Sequence, residues 1–173
     1  MANGHWPHPR YNMPQPPFHG PLPQPGTVAP TLRYVKQDRS EARLADHKGE
    51  VVVLIAFPSV DTSTCALETR TFNQRATGLG ATVISISMDL PFALKRFCAA
   101  EGIDKVVAGS DFRYRDCAHV WGAELTEGAL RNTLGRITWV IDRQGIIRHC
   151  EVAPELGAEP DYDAAIAIVK GLL

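Results

Sequence analysis

Val51-Val52-Val53-Leu54-Ile55-Ala56-Phe57 is an unbroken apolar run, rich in β-branched residues and closed by Pro58. A half-buried strand alternates apolar with polar residues, so an uninterrupted run predicts a strand covered on both faces, inside a parallel or mixed sheet. After the loop at residues 59–64, Leu67, Thr71, Phe72 and Ala76 recur at helical spacing and predict a helix from about Cys65 to Thr77, stopped by Gly78 and Gly80. Strand, short loop and helix in that order form the unit from which parallel sheets are built.

Further along the chain, the alternation of Thr82–Met88 reads as a second strand. Asp89 is a candidate N-cap, and Leu90-Pro91 opens a helix running to about Ala100 before Gly102. Lys105–Gly109 reads as a short strand, Arg113–Trp121 as a short helix and Ile137–Ile141 as a strong strand. The turn residues Asp142–Gly145 then lead into Ile146–Val152, a hairpin. Pro160-Asp161-Tyr162 starts a last helix whose Ala165, Ile166, Ile168, Val169 and Leu172 occupy one side. This order predicts an α/β protein with a central mixed sheet flanked by helices, the order of an elaborated thioredoxin-like fold.

With 173 residues, 45% of them apolar and 21% charged, the chain has the composition of one soluble globular domain. Its 18 basic and 19 acidic residues favour neither nucleic acid nor an anionic membrane as partner. No run is long enough to span a bilayer and the first twenty residues resemble no signal peptide, so a cytoplasmic location is expected. Residues 1–26 hold eight of the thirteen prolines and three of the six histidines, without apolar periodicity. They read as an extended or disordered arm, leaving residues 27–173 as the domain. His5, His8 and His19 lack a fixed third ligand at this level and read as solvated, so no metal site is expected.

Four cysteines, Cys65, Cys98, Cys117 and Cys150, form no C-x-x-C pair. The common zinc and dithiol motifs are therefore missing, and each cysteine is either a small buried hydrophobe or a reactive thiol. Cys65 lies where a strand gives way to a helix. Helix N-termini present unpaired amide N–H groups and partial positive charge, which favour a thiolate, and the thiolate is the nucleophile. Cys117, on a stripe with Val120 and Trp121, and Cys150, alternating with Ile146 and Val152, read as structural.

Pro58-x-x-x-Thr62-x-x-Cys65 directly after an apolar strand resembles the peroxidatic motif of the peroxiredoxins. FPSVDTSTCALETRTFNQ, SMDLPFALKRFCAAEG and EPDYDAAIAIVKGLL are similar to the thiol peroxidase, atypical two-cysteine branch of that family, from about Leu22 to the C-terminus. The resemblance implies a thioredoxin-like fold with peroxiredoxin elaboration and a thiol-dependent peroxidase acting on hydrogen peroxide and organic hydroperoxides. It makes Cys65 the peroxidatic cysteine and Thr62 a hydroxyl that contacts substrate or thiolate, where spacing alone allows a simple helix cap. It gives Pro58 the role of walling the pocket, where a strand terminator is the plain alternative. It places the activating arginine at Arg136, which the residues alone do not separate from Arg131. Cys98 matches the resolving cysteine, implying an intramolecular disulfide with Cys65. Their location on two predicted helices then requires helix ends to loosen during the cycle, because a disulfide needs Cα atoms within about 7 Å.

By the same resemblance, thioredoxin or a similar dithiol protein is the reductant, the protein is a homodimer, and no metal, haem or flavin cofactor takes part. Phe57, Leu90 and Phe92 are candidates for an apolar entrance. A competing reading keeps Cys65 reactive but makes the protein a redox sensor with little turnover, its PQPP stretch serving for docking. Phosphate-binding loops, G-x-S-x-G and H-E-x-x-H are missing, which removes support for nucleotide, serine-hydrolase and zincin chemistry.

Overall fold

The computed structural model describes residues 17–155 and 157–173. Among them, β1 (Arg33–Lys36), β2 (Glu41–Arg43), β3 (Val52–Ala56), β4 (Thr82–Ser87), β5 (Val106–Ser110), β6 (Ile137–Ile141) and β7 (Ile147–Val152) form one sheet in the order β2-β1-β5-β4-β3-β6-β7. The β3–β4 and β4–β5 pairs are parallel, and the pairs toward both edges are antiparallel. Three helices, α1 (Ser63–Arg75), α2 (Pro91–Glu101) and α3 (Tyr162–Leu172), complete a mixed α/β architecture of the expected class.

The sheet separates two cores, and the apolar run serves both. Val51, Val53, Ile55 and Phe57 face α1, α2 and α3 through Phe72, Leu94, Phe97, Ile166 and Val169. Val52, Leu54 and Ala56 face the other way, toward Tyr34, Ile84, Trp121 and Trp139. Each fully buried Val, Leu or Ile is worth about 1.5–3 kcal/mol, so β3 anchors the layer from whose C-terminal end the loop to α1 departs.

Several local expectations shift. The β1–β2 hairpin was not anticipated, because strands of four and three residues that bury only Tyr34, Val35 and Ala42 carry too little alternation to be seen. The helix expected from Cys65 begins two residues earlier, at Ser63, because Thr62 caps it. Its buried face is Cys65, Glu68, Thr69 and Phe72, whereas Leu67, expected on the apolar face, is 39% exposed. Asp89 does not cap α2. Leu90 takes the cap position without a side-chain bond, and Pro91, which lacks an N–H, starts the helix. The segment expected as a helix from Arg113 to Trp121 is a π-helical turn over Asp116–Val120, held by the Asp111 carboxylate accepting from Cys117 N and Ala118 N.

The boundary drawn after residue 26 also moves. Residues 17–26 form neither helix nor regular strand, with bends at His19 and Gly20 and a turn at Pro25 and Gly26, and they are laid onto the domain. Phe18 bridges Leu125, His19 N donates to Glu124 O at 2.9 Å, Trp139 Nε1 to Pro23 O at 3.2 Å and Gly26 N to Ile147 O at 2.8 Å. Phe18 and Leu22 pack against the second core. Gly122 has φ +70°, and a Cβ there would come within 2.8 Å of the Gly20 backbone, so the close approach requires glycine. A segment without periodicity can dock through its carbonyls and a few apolar side chains, which composition does not reveal. The remainder of the expected arm, with His5 and His8, lies outside the described residues. No helix among the described residues is long and apolar enough to cross a membrane.

Candidate active site

Thr62 has extended backbone angles and occupies the N-cap of α1, so Cys65 falls in the first turn of the helix, fully buried. Thr62 Oγ1 accepts from Cys65 N at 3.3 Å and donates to Cys65 Sγ at 2.7 Å. Cap and donor are thus functions of one oxygen. The helix N-terminus and the hydroxyl both direct partial positive charge at the sulfur.

The full charge comes from the segment leading into β6, the strand paired with β3. Arg136, immediately before β6 and 1% exposed, places Nη2 at 3.3 Å from Cys65 Sγ, while Nη1 is ion-paired with Glu68 Oε2. Arg131, which the residues alone left equally eligible, is exposed. Burial acts to lower the Arg136 pKa, but the charges of Glu68 and Cys65 outweigh it and hold the guanidinium above its ordinary value. Burial pushes the Glu68 carboxyl up to about 7, with Arg136 only partly offsetting it. Glu68 Oε1 has no hydrogen-bond partner among the described residues.

Glu68 went unrecognised in the sequence. The available signal was its i+3 spacing from Cys65, which puts both side chains on one helix face. Asp89 was misassigned. Its carboxylate accepts from Val60 N at 2.8 Å, from Ser59 Oγ at 2.9 Å and from Ser87 Oγ at 2.7 Å, tying the loop between β3 and α1 to the end of β4. Pro58 is buried at the start of that loop.

The other thiols differ from Cys65 in their surroundings. Cys98 lies within α2 and belongs to the same apolar core as Cys65, and both are free thiols. Burial pushes the Cys98 thiol up to about 11 and Cys150 up to about 12, and holds Cys117 well above the ordinary thiol value. Cys117 is fully buried, and Cys150 partly so. Leu90 and Phe92 are 46% and 67% exposed, whereas Phe57, also expected near an entrance, is sealed in the core. A cavity of about 510 Å³ lies away from this constellation, lined by Leu32, Arg33, Leu44, His47 and Ile141, and includes none of the cysteines.

The constellation suits attack by sulfur on a polar, weak bond. The Cys65 sulfur is held between a hydroxyl and a guanidinium, and the same donors are available for charge developing on a neighbouring acceptor.

Known proteins share this architecture. The Redoxin family profile matches residues 24–166. The thiol peroxidase of Leptospira interrogans is 43% identical over 159 residues, covering 90% of this chain and 93% of the relative. That of Mycobacterium tuberculosis is 40% identical over 148 residues, covering 86% and 89%. The crystal structure of a peroxiredoxin-like protein from Aquifex aeolicus superposes with a TM-score of 0.84 at 40% identity, covering 90% of this chain and 91% of that one. The family match and the shared length of these relatives agree with the fold: the chain belongs to the redoxin family and, within it, to the thiol peroxidases.

Proposed function

We propose that this protein is a thiol-dependent peroxidase that reduces hydrogen peroxide and organic hydroperoxides, with Cys65 as the nucleophile. The observation that carries the reading is the placement of Cys65 Sγ between Thr62 Oγ1 at 2.7 Å and Arg136 Nη2 at 3.3 Å. The Cys65 thiolate attacks one peroxide oxygen, an S–O bond forms as the O–O bond breaks, and the leaving oxygen departs as alkoxide or hydroxide and takes up a proton. Arg136 and Thr62 stabilise charge on the two oxygens as it moves. Pro58 offers no N–H and so shields the sulfur without competing for it.

The Cys65 sulfenic acid then condenses with the Cys98 thiol, forming a disulfide and releasing water. Cys98 is buried within a helix, so the ends of α1 and α2 must loosen for the sulfurs to meet. A dithiol protein such as thioredoxin reduces the disulfide by thiol–disulfide exchange and becomes oxidised itself. The reading includes an antioxidant role in the cytoplasm and a homodimeric assembly, both supported by resemblance to the thiol peroxidases.

Peptide-mapped mass spectrometry of the reduced protein after one equivalent of hydroperoxide tests the chemistry. A Cys65–Cys98 bridge within one chain is expected. A bridge to Cys117 or Cys150 would overturn the resolving step, and an unreactive Cys65 would overturn the peroxidase. Multiple turnover with a dithiol reductant distinguishes an enzyme from a redox sensor that is oxidised once and read by a partner.

A further inference from the structure

His19, His119 and Glu124 come together from the amino-terminal segment, the π-helical turn and the stretch after it. One ligand atom from each lies within 4.8 Å of the other two. The imidazole rings stack with centroids 4.5 Å apart and planes inclined by 26°, and His119 Nε2 stands 3.1 Å from Glu124 Oε2. Both imidazoles are open to solvent while Glu124 is buried. Main-chain bonds set this frame independently of the three side chains: His19 N donates to Glu124 O at 2.9 Å, and Glu124 N to Ala118 O at 3.2 Å. Read from sequence, His19 lacked a fixed partner; the docking of residues 17–26 supplies two.

We propose that His19, His119 and Glu124 form a binding site for one divalent transition-metal ion of the zinc type, which pins the amino-terminal segment to the domain. Two imidazoles and a carboxylate, with water in the fourth position, are a donor set that suits Zn²⁺. The set includes no thiol, so occupancy leaves Cys65 and Cys98 untouched. Ligand atoms about 2.0–2.2 Å from a tetrahedral ion stand about 3.4 Å from one another. The trio therefore has to contract modestly, and solvent-exposed imidazoles are free to rotate toward the ion.

Arg115 sharpens the proposal. Its guanidinium is hydrogen-bonded to Glu124 Oε2 and contacts His119 Nε2 at 3.4 Å, bridging two of the three groups that the ion would bridge. Cation and guanidinium compete for the same lone pairs. Arg115 is one-third exposed at its side chain, at 33%, and can turn outward when an ion enters. Removing this competitor strengthens metal binding, an effect that a cluster with a purely structural role does not produce.

Calorimetric titration of the reduced full-length protein with Zn²⁺, in a non-chelating reductant, tests the site. One ion per chain is expected. His19→Ala and His119→Ala each weaken binding by more than roughly tenfold, since even an outer partner of a metal ligand is worth about that much. Arg115→Ala tightens binding. Cys65→Ser, and His5→Ala combined with His8→Ala, leave it unchanged. Zn²⁺ also slows amide exchange at residues 18–22. The proposal is overturned by no binding, by binding indifferent to His19→Ala and His119→Ala, by weaker binding in Arg115→Ala, or by loss of binding in Cys65→Ser or in the His5/His8 double variant.

Discussion

Arg136 joins Cys65 to Glu68: Nη2 lies 3.3 Å from the Cys65 sulfur while Nη1 is ion-paired with the Glu68 carboxylate one helical turn further along α1. One buried guanidinium thus contacts the Cys65 sulfur and pairs with a carboxylate that water cannot reach. Arg136→Met is expected to slow oxidation of Cys65 by about 10²–10³-fold, the typical loss when a preorganised donor to developing charge is removed. It is also expected to destabilise the fold by about 3–5 kcal/mol, because Glu68 is left buried and unpaired. Adding Glu68→Gln should restore most of the stability and little of the rate. Competition kinetics for peroxide and urea unfolding of the single and double variants separate the two effects. A double variant that regained the rate would place the function of Arg136 in the fold alone.

Glu68 makes folding stability depend on pH in a defined direction. Burial raises its carboxyl from the ordinary 4.5 to about 7. The folded state therefore holds a proton that the unfolded chain has released, and the linkage slope is negative between these values. The stability contribution is complete below about 4.5 and is lost as pH rises through about 7. Asp111, raised by burial from 3.8 to about 6, acts with the same sign over a lower window. Comparing the urea midpoints of the wild-type protein and Glu68→Gln at each pH isolates the first group. The difference between them should change with pH mainly from about pH 4.5 to 7, and a constant difference would show that Glu68 keeps an ordinary carboxyl.

Cys98 should be dispensable for the first chemical step and required for the second. Burial pushes its thiol up to about 11, which disfavours the thiolate form needed to attack peroxide. In Cys98→Ser, oxidation of Cys65 by one equivalent of peroxide should proceed near the wild-type rate, and turnover with a dithiol protein should stop. Excess peroxide should then carry Cys65 from sulfenic to sulfinic acid. Intact-protein mass spectrometry reads the gain of one oxygen and then two. Sustained turnover in this variant would identify another thiol as the resolving group.

The parts of the fold that rest on repeated, redundant signals were legible in the sequence. Val51–Phe57 commits both of its faces to core, and the motif spacing from Pro58 to Cys65 puts the thiol at a helix start whichever residue caps it. What escaped detection depends on single contacts. Tyr34, Val35 and Ala42 are too few to mark the β1–β2 hairpin. Glu68 on the helix looks like any solvent-facing glutamate until Arg136 arrives from just before β6, 68 residues away. Charge type told nothing that separates Arg136 from Arg131; only the path of the chain into β6 does. Residues 17–26 were misread for a related reason, since proline content reports backbone stiffness but not where carbonyls and Phe18 come to rest.

Asp89 provides the last test, because sequence and structure give it different work. As an N-cap it would stabilise α2, and its replacement would cost helix stability with no bearing on Cys65. In the structure its carboxylate instead receives Val60 N, Ser59 Oγ and Ser87 Oγ, two of them from the loop that delivers Thr62 and Cys65. Asp89→Ala leaves the Val60 N–H without its partner, at a cost of about 1–3 kcal/mol. It also frees the loop to shift, and a misplacement of about 1 Å at a reacting centre can cost about 10²-fold in rate. Asp89→Asn keeps one acceptor oxygen and should fall between Ala and wild type in both quantities. Peroxide competition kinetics, together with amide exchange at Val60 and at the first turn of α2, distinguish the two roles. Faster exchange at Val60 with slower Cys65 oxidation is the expected result, whereas faster exchange confined to the start of α2 with an unchanged rate would return Asp89 to capping.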